Sequence, residues 1–406
     1  MQQKKIVLIT TGQPSVNPRI IKEADAFHAA GYDVMLLYCF FINWASKNDK
    51  ALLEKVPWKY QIVGGSPHEK KTLFFFTRLR NRICRLLSRF VGSSFMLFER
   101  TQARAYDELL QEAKRIKADW YIGHNLGTLA VAAQAALFHG GKAGFDFEDY
   151  HYGENLPEAT KILRRISYLE NKYLPMLSYL STASDLITEA VKKDHPAFKG
   201  SAITLNNCFP LKQQPIYKPK QSEDHTLQLF WFSQTIGINR GLEVLINSIT
   251  DLNDLDIHLT LAGRCNQDML DYINTHAGAM VDNIHFAGII QPDLLPAFAS
   301  QFDVGMAIEL NIPVNRDICL TNKIFTYLLA GNAIIFSETT MQLAFNKKYH
   351  VGESFAVNDK IALAQKIKSY KDIYKLNDQK MYNYKLAAEQ QNWELESDKL
   401  ITVIKA

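Results

Sequence analysis

The chain reads as an α/β protein built from two Rossmann-like, doubly wound domains. Short continuous apolar runs, the mark of strands buried on both faces of a parallel sheet, alternate with amphipathic helical stretches. The alternation breaks over a Pro-, Lys- and Gln-bearing stretch at residues 210–225 and then restarts. At 406 residues the chain exceeds one ordinary core and suits two. With 47% hydrophobic and 22% charged residues, it is excluded from the disordered, collagen-like and low-complexity classes.

The first unit opens with Ile6–Ile9 as a buried strand. The loop Thr10–Val16 follows, and Asn17-Pro18 then read as N-cap and first helical residue. In that helix Ile20, Ile21, Ala24 and Phe27 form an apolar stripe, with Arg19, Lys22, Glu23 and Asp25 expected on the opposite, polar face. Gly31 ends it before the next strand, Val34–Tyr38. Further on, a strand at Trp120–Gly123 runs into His124-Asn125 and an Ala-rich helix, and the strand at Gly144–Phe147 runs into Glu148-Asp149. Polar residues thus gather at strand ends. After the linker come strands at Leu227–Phe232, Ile257–Leu261, Ile284–Phe286, Asp303–Ile308 and Ala333–Phe336. Helices are expected from Arg240, at Gln267–His276, at Pro292–Ser300 and at Asn322–Ala330. The expected organisation is therefore domain 1–209, linker 210–225, domain 226–380, and a helix at 381–406 that packs back on the first domain.

Cys39, Cys84, Cys208, Cys265 and Cys319 lie far apart without metal-finger spacing, so neither a disulfide framework nor a structural zinc site is expected. The first residues lack the apolar length of a secretion signal, and Val34–Ser46 and Trp120–Gly141 read as strand-plus-connection segments rather than membrane spans. A cytoplasmic protein is expected.

The net charge of +4 is unevenly spread. Residues 69–104 hold nine basic and two acidic side chains, a local excess of +7. Within them Phe75, Leu79, Ile83, Leu86 and Phe90 recur at helical spacing, with Arg78, Arg82, Arg85 and Arg89 on a neighbouring face. One reading lays this basic amphipathic helix on an anionic leaflet, with Phe75, Arg78, Leu79, Arg82, Arg85 and Arg89 in contact. The other packs the apolar face on the first sheet and leaves the arginines solvated. Nucleic acid is not expected, because the aromatics are clustered rather than interleaved with the cations.

No GxGxxG, GxxxxGK[ST], HExxH or GxSxG is present, which removes the main support for dinucleotide oxidoreductase, P-loop, zincin and α/β-hydrolase chemistry. The informative stretch is Asn322–Ile335, where a helix start with free backbone N–H groups and Lys323 in its first turn can hold phosphate.

Taken with four further segments, this stretch resembles the GT-B superfamily of glycosyltransferases, in particular its large retaining, nucleotide-sugar-dependent group. The matching segments are Asn17–Val34, Phe145–Asp149, Arg240–Glu243, Phe286–Phe298 with Phe302–Met306, and Asn322–Gly331. The resemblance implies an α/β GT-B fold, two Rossmann-like domains facing a central cleft, and transfer of a sugar from a nucleotide-diphosphate sugar, with UDP-sugar favoured. It implies no cofactor and no metal. Arg240, Thr321, Asn322 and Lys323 would meet the diphosphate, Ile289 and Ile290 would flank the base, and Gly12 and Gln13 would line the cleft. His124 would contact the donor sugar or the acceptor, Glu148 and Asp149 would orient an acceptor hydroxyl, and Glu309 would reach the donor sugar.

Three positions depart from the group's pattern. Thr326 stands where a ribose-binding Glu is usual, Gln234 where Gly is usual and Thr235 where a basic residue is common. A neutral hydrogen bond of ~0.5–1.5 kcal/mol at Thr326 would replace a charged one of ~1.5–3 kcal/mol. The implied enzyme serves cell-surface polysaccharide or glycolipid assembly, retaining and metal-independent, with a carbohydrate or lipid-linked acceptor at the inner face of the plasma membrane. Two alternatives stay open: a nucleotide-sugar epimerase of the same architecture, and a non-catalytic GT-B scaffold with a dead donor site.

Overall fold

The computed structural model describes residues 3–252 and 255–405. The chain divides into two compact units, Met1–Leu205 with Ser397–Ala406, and Asn206–Glu396.

Unit 1 is a seven-stranded sheet of β1 (Lys5–Thr10), β2 (Asp33–Cys39), β3 (Lys59–Val63), β4 (Trp120–His124), β5 (Lys142–Phe147), β6 (Tyr179–Thr182) and β7 (Ser201–Thr204). The order is β3-β2-β1-β4-β5-β6-β7 and every pairing is parallel. Ile6 stands beside Val34 on one side and Trp120 on the other, so the apolar runs of three strands stack in one layer. Leu400 and Ile404 of the last helix (Trp393–Lys405) are fully buried in that same cluster, so the chain returns to complete the core of unit 1.

The first helix, Pro18–Ala29, begins where Asn17 and Pro18 place it, and the Asn17 side chain accepts from the Ile20 backbone N–H. Its polar face departs from expectation, because Arg19 and Glu23 are both wholly buried. Helical periodicity assigned them to solvent; partners from other strands draw them into the interior.

The basic helix spans Lys71–Val91, and it too reverses the simple reading of its faces. The side it buries carries Phe74, Thr77, Asn81 and Cys84. The stripe of Phe75, Leu79, Ile83, Leu86 and Phe90 points outward, with Phe75 64% and Phe90 79% exposed. Polar residues suit the inner side because their bonds are met: Thr77 donates to the Phe74 carbonyl and Asn81 Nδ2 to the carbonyls of Arg100 and Thr101. Arg78, Arg82, Arg85 and Arg89 are exposed. Among the described residues no helix is long and apolar enough to cross a membrane.

Unit 2 is a six-stranded parallel sheet of β8 (Leu227–Ile236), β9 (Ile257–Cys265), β10 (Ile284–Gly288), β11 (Val304–Ala307), β12 (Ala333–Ser337) and β13 (Gly352–Phe355), ordered β10-β9-β8-β11-β12-β13. The helix expected from Arg240 starts two residues later, at Leu242, because Asn239 and Gly241 take left-handed backbone with φ of 62° and 78°. A Cβ on Gly241 would stand 2.5 Å from Ile308 Cγ2, so glycine lets the loop after β8 meet the end of β11. The stretch 292–300 is a 3-10 turn, Pro292–Leu294, followed by the helix Leu295–Ala299.

Candidate active site

In both sheets the strand order reverses at the first strand, between β1 and β4 and between β8 and β11. In open parallel sheets ligands bind beyond the carboxyl ends of strands at such a switch point. The predicted residues lie at these ends.

In unit 1, Thr10 ends β1 and its hydroxyl donates to Asn125 Oδ1 at 2.7 Å. Asn125 holds a φ of 72°, which a non-glycine residue adopts only under strain, directly after β4. Gly12 donates its N–H to Thr10 Oγ1 at 3.1 Å. Its neighbour Gln13 is buried: its amide oxygen accepts from the backbone of Phe41 and Ile42 at 3.0 and 2.6 Å, and its nitrogen donates to Asp49. Gln13 therefore pins the loop rather than lining an open surface.

His124 is 1% exposed and belongs to a buried charged quartet. Arg19 forks onto Asp146, Nε to Oδ2 at 2.7 Å and Nη2 to Oδ1 at 2.8 Å, and its third nitrogen reaches the Leu205 carbonyl. Glu23 Oε2 faces His124 Nε2 at 3.1 Å, and Ser181 donates to Asp146. Burial acts to lower the His124 pKa, but the Glu23 carboxylate and then Asp146 overcome it, so the ring is held above its ordinary value. Burial likewise acts to raise Asp146, and the Arg19 charge overcomes it, leaving Asp146 below the usual range. Glu23, His124 and Asp146 are spaced for a metal, but the Arg19 fork already occupies both carboxylate oxygens of Asp146. His124 is thus held at the end of β4 between Glu23 and Asp146, 1% exposed.

Above this quartet lies a pocket of 260 Å³ whose lining includes Asn125, Asp146, Glu148, Asp149, His151 and Arg165. Glu148 is half-buried, and no hydrogen bond or ion pair from a described residue holds its carboxylate. Burial, with Asp146 and Asp149 adding to it against the pull of Arg19, pushes its pKa up to about 7. His151 is oriented by Glu170, Nδ1 to Oε1 at 2.9 Å, and Glu170 is braced from its other oxygen by His195 at 3.0 Å. A carboxyl poised near neutrality in a polar pocket can take a proton from a hydroxyl.

In unit 2 the carboxyl ends of β8 and β11 gather cations. The helix Asn322–Ala330 begins at Thr321, where no side chain caps its free N–H groups, and Thr321 Oγ1 is buried without a partner. Lys323 Nζ stands 2.5 Å from Glu309 Oε1 and 5.3 Å above the Trp231 ring. Glu309 is in turn fixed by Ser337, which bonds both its backbone N–H and its carbonyl. Asn322 and Arg240 are exposed, and Arg240 reaches Ser233 Oγ at 3.4 Å. Gln234 is exposed near the end of β8, beside a register shift between Phe232 and Thr235. Thr326 does not present its hydroxyl at the helix start, because it is fully buried and bonded to the Asn322 carbonyl at 2.9 Å. Ile289 and Ile290 follow β10 at the sheet edge, exposed and half-buried.

Sequence reasoning missed two guanidiniums here. Arg264, the last residue but one of β9, is in register with Thr235, and Arg316 donates to the Asn239 carbonyl at 3.1 Å. The first follows an apolar strand as a charged strand-end residue, a signal that was available; the second sits on a short helix, Val314–Ile318, that no periodicity announces.

Each unit is a doubly wound parallel sheet with polar residues at its carboxyl ends, and over the whole chain the fold is of the GT-B class. Solved structures of that class match the whole chain. Anabaena HepE, solved with UDP and glucose, shares 13% identity at a TM-score of 0.69 over 99% of this chain and 100% of that one. Sucrose-phosphate synthase from Thermosynechococcus elongatus matches at 13% identity and a TM-score of 0.69, over 99% of this chain and 98% of that one. S. aureus TarM, solved with fondaparinux, α-GlcNAc-glycerol and UDP, matches at 8% identity and a TM-score of 0.69 over both chains in full. No protein-family model matches the sequence, and no curated protein matches it.

Proposed function

We propose that the chain is a glycosyltransferase that moves a sugar from a nucleotide-diphosphate sugar, a UDP-sugar in the favoured case, to a hydroxyl of a carbohydrate or lipid-linked acceptor. The observation that carries this reading is the group at the carboxyl ends of β8 and β11: an uncapped helix start, Lys323 and Arg240, with Arg264 in register with Thr235 of β8 and Arg316 on the Asn239 carbonyl. A helix N-terminus with guanidinium and ammonium groups is suited to the charge that grows on a departing diphosphate. The likeness in fold to HepE with UDP and glucose supports the donor class.

The chemistry follows from that charge. As the bond from the anomeric carbon to the diphosphate oxygen lengthens, negative charge accumulates on the leaving group, and the helix start with Arg240 and Lys323 takes the part a divalent metal plays elsewhere. Glu309 holds Lys323 in place until the diphosphate competes for it. In unit 1, Glu148 accepts the acceptor hydroxyl's proton, with Asp149 orienting that hydroxyl. Retention of configuration follows the resemblance, and an anomeric assignment of the product by NMR tests it. The exposed apolar and basic faces of the Lys71–Val91 helix suit contact with an anionic leaflet and support a proposed role in polysaccharide or glycolipid assembly at the inner face of the plasma membrane.

Buried Thr326 and the occupied Lys323 also suit a non-catalytic scaffold. Nucleotide-sugar turnover with and without acceptor separates the readings: a transferase consumes the donor faster with acceptor, an epimerase converts it without one, and a scaffold leaves it intact.

A further inference from the structure

Two histidines of unit 2 meet at the amino ends of β9 and β10, the opposite end of the sheet from the cationic strand ends. Register brings them together. His258 is the second residue of β9 and His285 the second of β10, and His285 stands beside Thr260. Side chains alternate along a strand, so His258, Thr260 and His285 share one face of the sheet. The other face of these strands carries Ile257, Leu259 and Ile284 into the core, which leaves both imidazoles outside it, His258 half-buried and His285 exposed. The rings stack at 30° with centroids 5.3 Å apart, and His258 Nδ1 faces His285 Nε2 at 3.0 Å. On the far side of the first ring Asp256 Oδ1 stands 3.5 Å from His258 Nε2, while Asp256 Oδ2 is held by the Thr226 hydroxyl at 2.6 Å. That carboxylate favours the proton on His258 Nε2, so Nδ1 keeps a bare lone pair aimed at the partner ring.

The spacing of the two nitrogens says what they can hold. Imidazole nitrogens bind a metal at ~2.0–2.1 Å, so two of them at a right angle about one ion lie ~2.9 Å apart, and at the tetrahedral angle ~3.3 Å. The observed 3.0 Å fits the right-angled arrangement, which copper(II) and nickel(II) favour. The buried trio of unit 1 differs, because there Arg19 already fills Asp146. We propose that His258 Nδ1 and His285 Nε2 are two cis ligands of a divalent transition-metal ion of the copper(II) and nickel(II) class, with Asp256 orienting His258 from behind. Before binding, the His285 Nε2 hydrogen is donated to His258 Nδ1; on binding, that proton moves through solvent to His285 Nδ1, and both facing lone pairs go to the metal. The ion joins the edge strand β10 to β9. This site is independent of the glycosyl-transfer reading.

The test titrates nickel(II) into the full chain by calorimetry and examines copper(II), at one equivalent, by electron-spin-echo envelope modulation, which counts coordinated imidazoles. The expected results are two imidazoles on copper(II), and nickel(II) binding at least about tenfold tighter than magnesium(II), which prefers oxygen ligands. H258A and H285A each remove one imidazole from the copper(II) spectrum and weaken nickel(II) roughly tenfold or more. D256N keeps both imidazoles and weakens nickel(II) by about tenfold, the mark of a carboxylate that acts through the ring. Both histidines lie outside the core, so H258A and H285A leave the thermal midpoint of the metal-free chain within a few degrees, and the loss is read on the metal alone. A copper(II) spectrum that neither H258A nor H285A alters would overturn the proposal, because the ion then sits on other side chains. So would a chain that takes up no nickel(II) at millimolar concentration, or nickel(II) binding that both substitutions leave as it was.

Discussion

Arg19 shows how much a single residue in this fold carries. Its fork onto Asp146 and its contact with the Leu205 carbonyl tie the first helix to β5 and to the segment after β7. Removing one partner from a buried ion pair leaves the other charge uncompensated, so Arg19→Met is expected to cost about 3–5 kcal/mol in chemical denaturation. His124 adds a pH dependence. Its pKa is raised in the folded state, so its stabilisation is full below the ordinary histidine value and is lost as pH rises through the raised one. His124→Gln is expected to flatten that limb of the stability profile. Glu148 has the opposite sign for activity: raised to about 7, it is a competent base only above that pH, so transfer should climb through neutrality, and Glu148→Gln should abolish the limb and cut turnover by ~10²–10⁴. Glu148 was legible in the sequence as a polar residue at a strand end. The quartet beneath it was not, because periodicity within one helix cannot see that the partners of Arg19 and Glu23 arrive from β4 and β5, more than a hundred residues away.

At the scale of elements, the helices whose signals are local came out of the sequence almost whole: Gln267–His276 and Asn322–Ala330 occupy the residues their boundaries imply. The Lys71–Val91 helix was legible as amphipathic, but which face it buries was not. Its inner side owes its polar residues to bonds with backbone carbonyls of another segment, which no pattern of apolar spacing records. Because Leu79, Leu86 and Phe90 make little contact with the core, L79S/L86S/F90S should leave the thermal midpoint within a few degrees while removing vesicle binding. A large fall in the midpoint would mean that the face packs within the fold. At the helix start in unit 2, Lys323→Ala should weaken nucleotide-diphosphate binding by about tenfold or more in calorimetry, while nucleoside binding stays as it was, since a charge-assisted bond to phosphate is lost and the base contacts are kept.

For the whole molecule, the two sheets, their order and the return of the last helix into the core of unit 1 give each unit a complete hydrophobic interior. The break in the βα alternation at residues 210–225 lies inside unit 2, whose boundary falls between Leu205 and Asn206. The sequence places one helix at 381–406 against the first domain; the structure has two, Ile373–Glu389 and Trp393–Lys405, and the chain joins unit 1 only from Ser397. The central claim concerns unit 2, that its cationic strand ends hold a nucleotide diphosphate. Thermal denaturation against a panel of nucleotides and nucleotide sugars tests it most directly, because a ligand that binds only the native state stabilises it by RT ln(1 + [L]/Kd). The account predicts a shift selective for one base, larger for diphosphates than for the nucleoside, and lost in R240A and K323A. A chain that no nucleotide stabilises, or a shift that survives both substitutions, would contradict it.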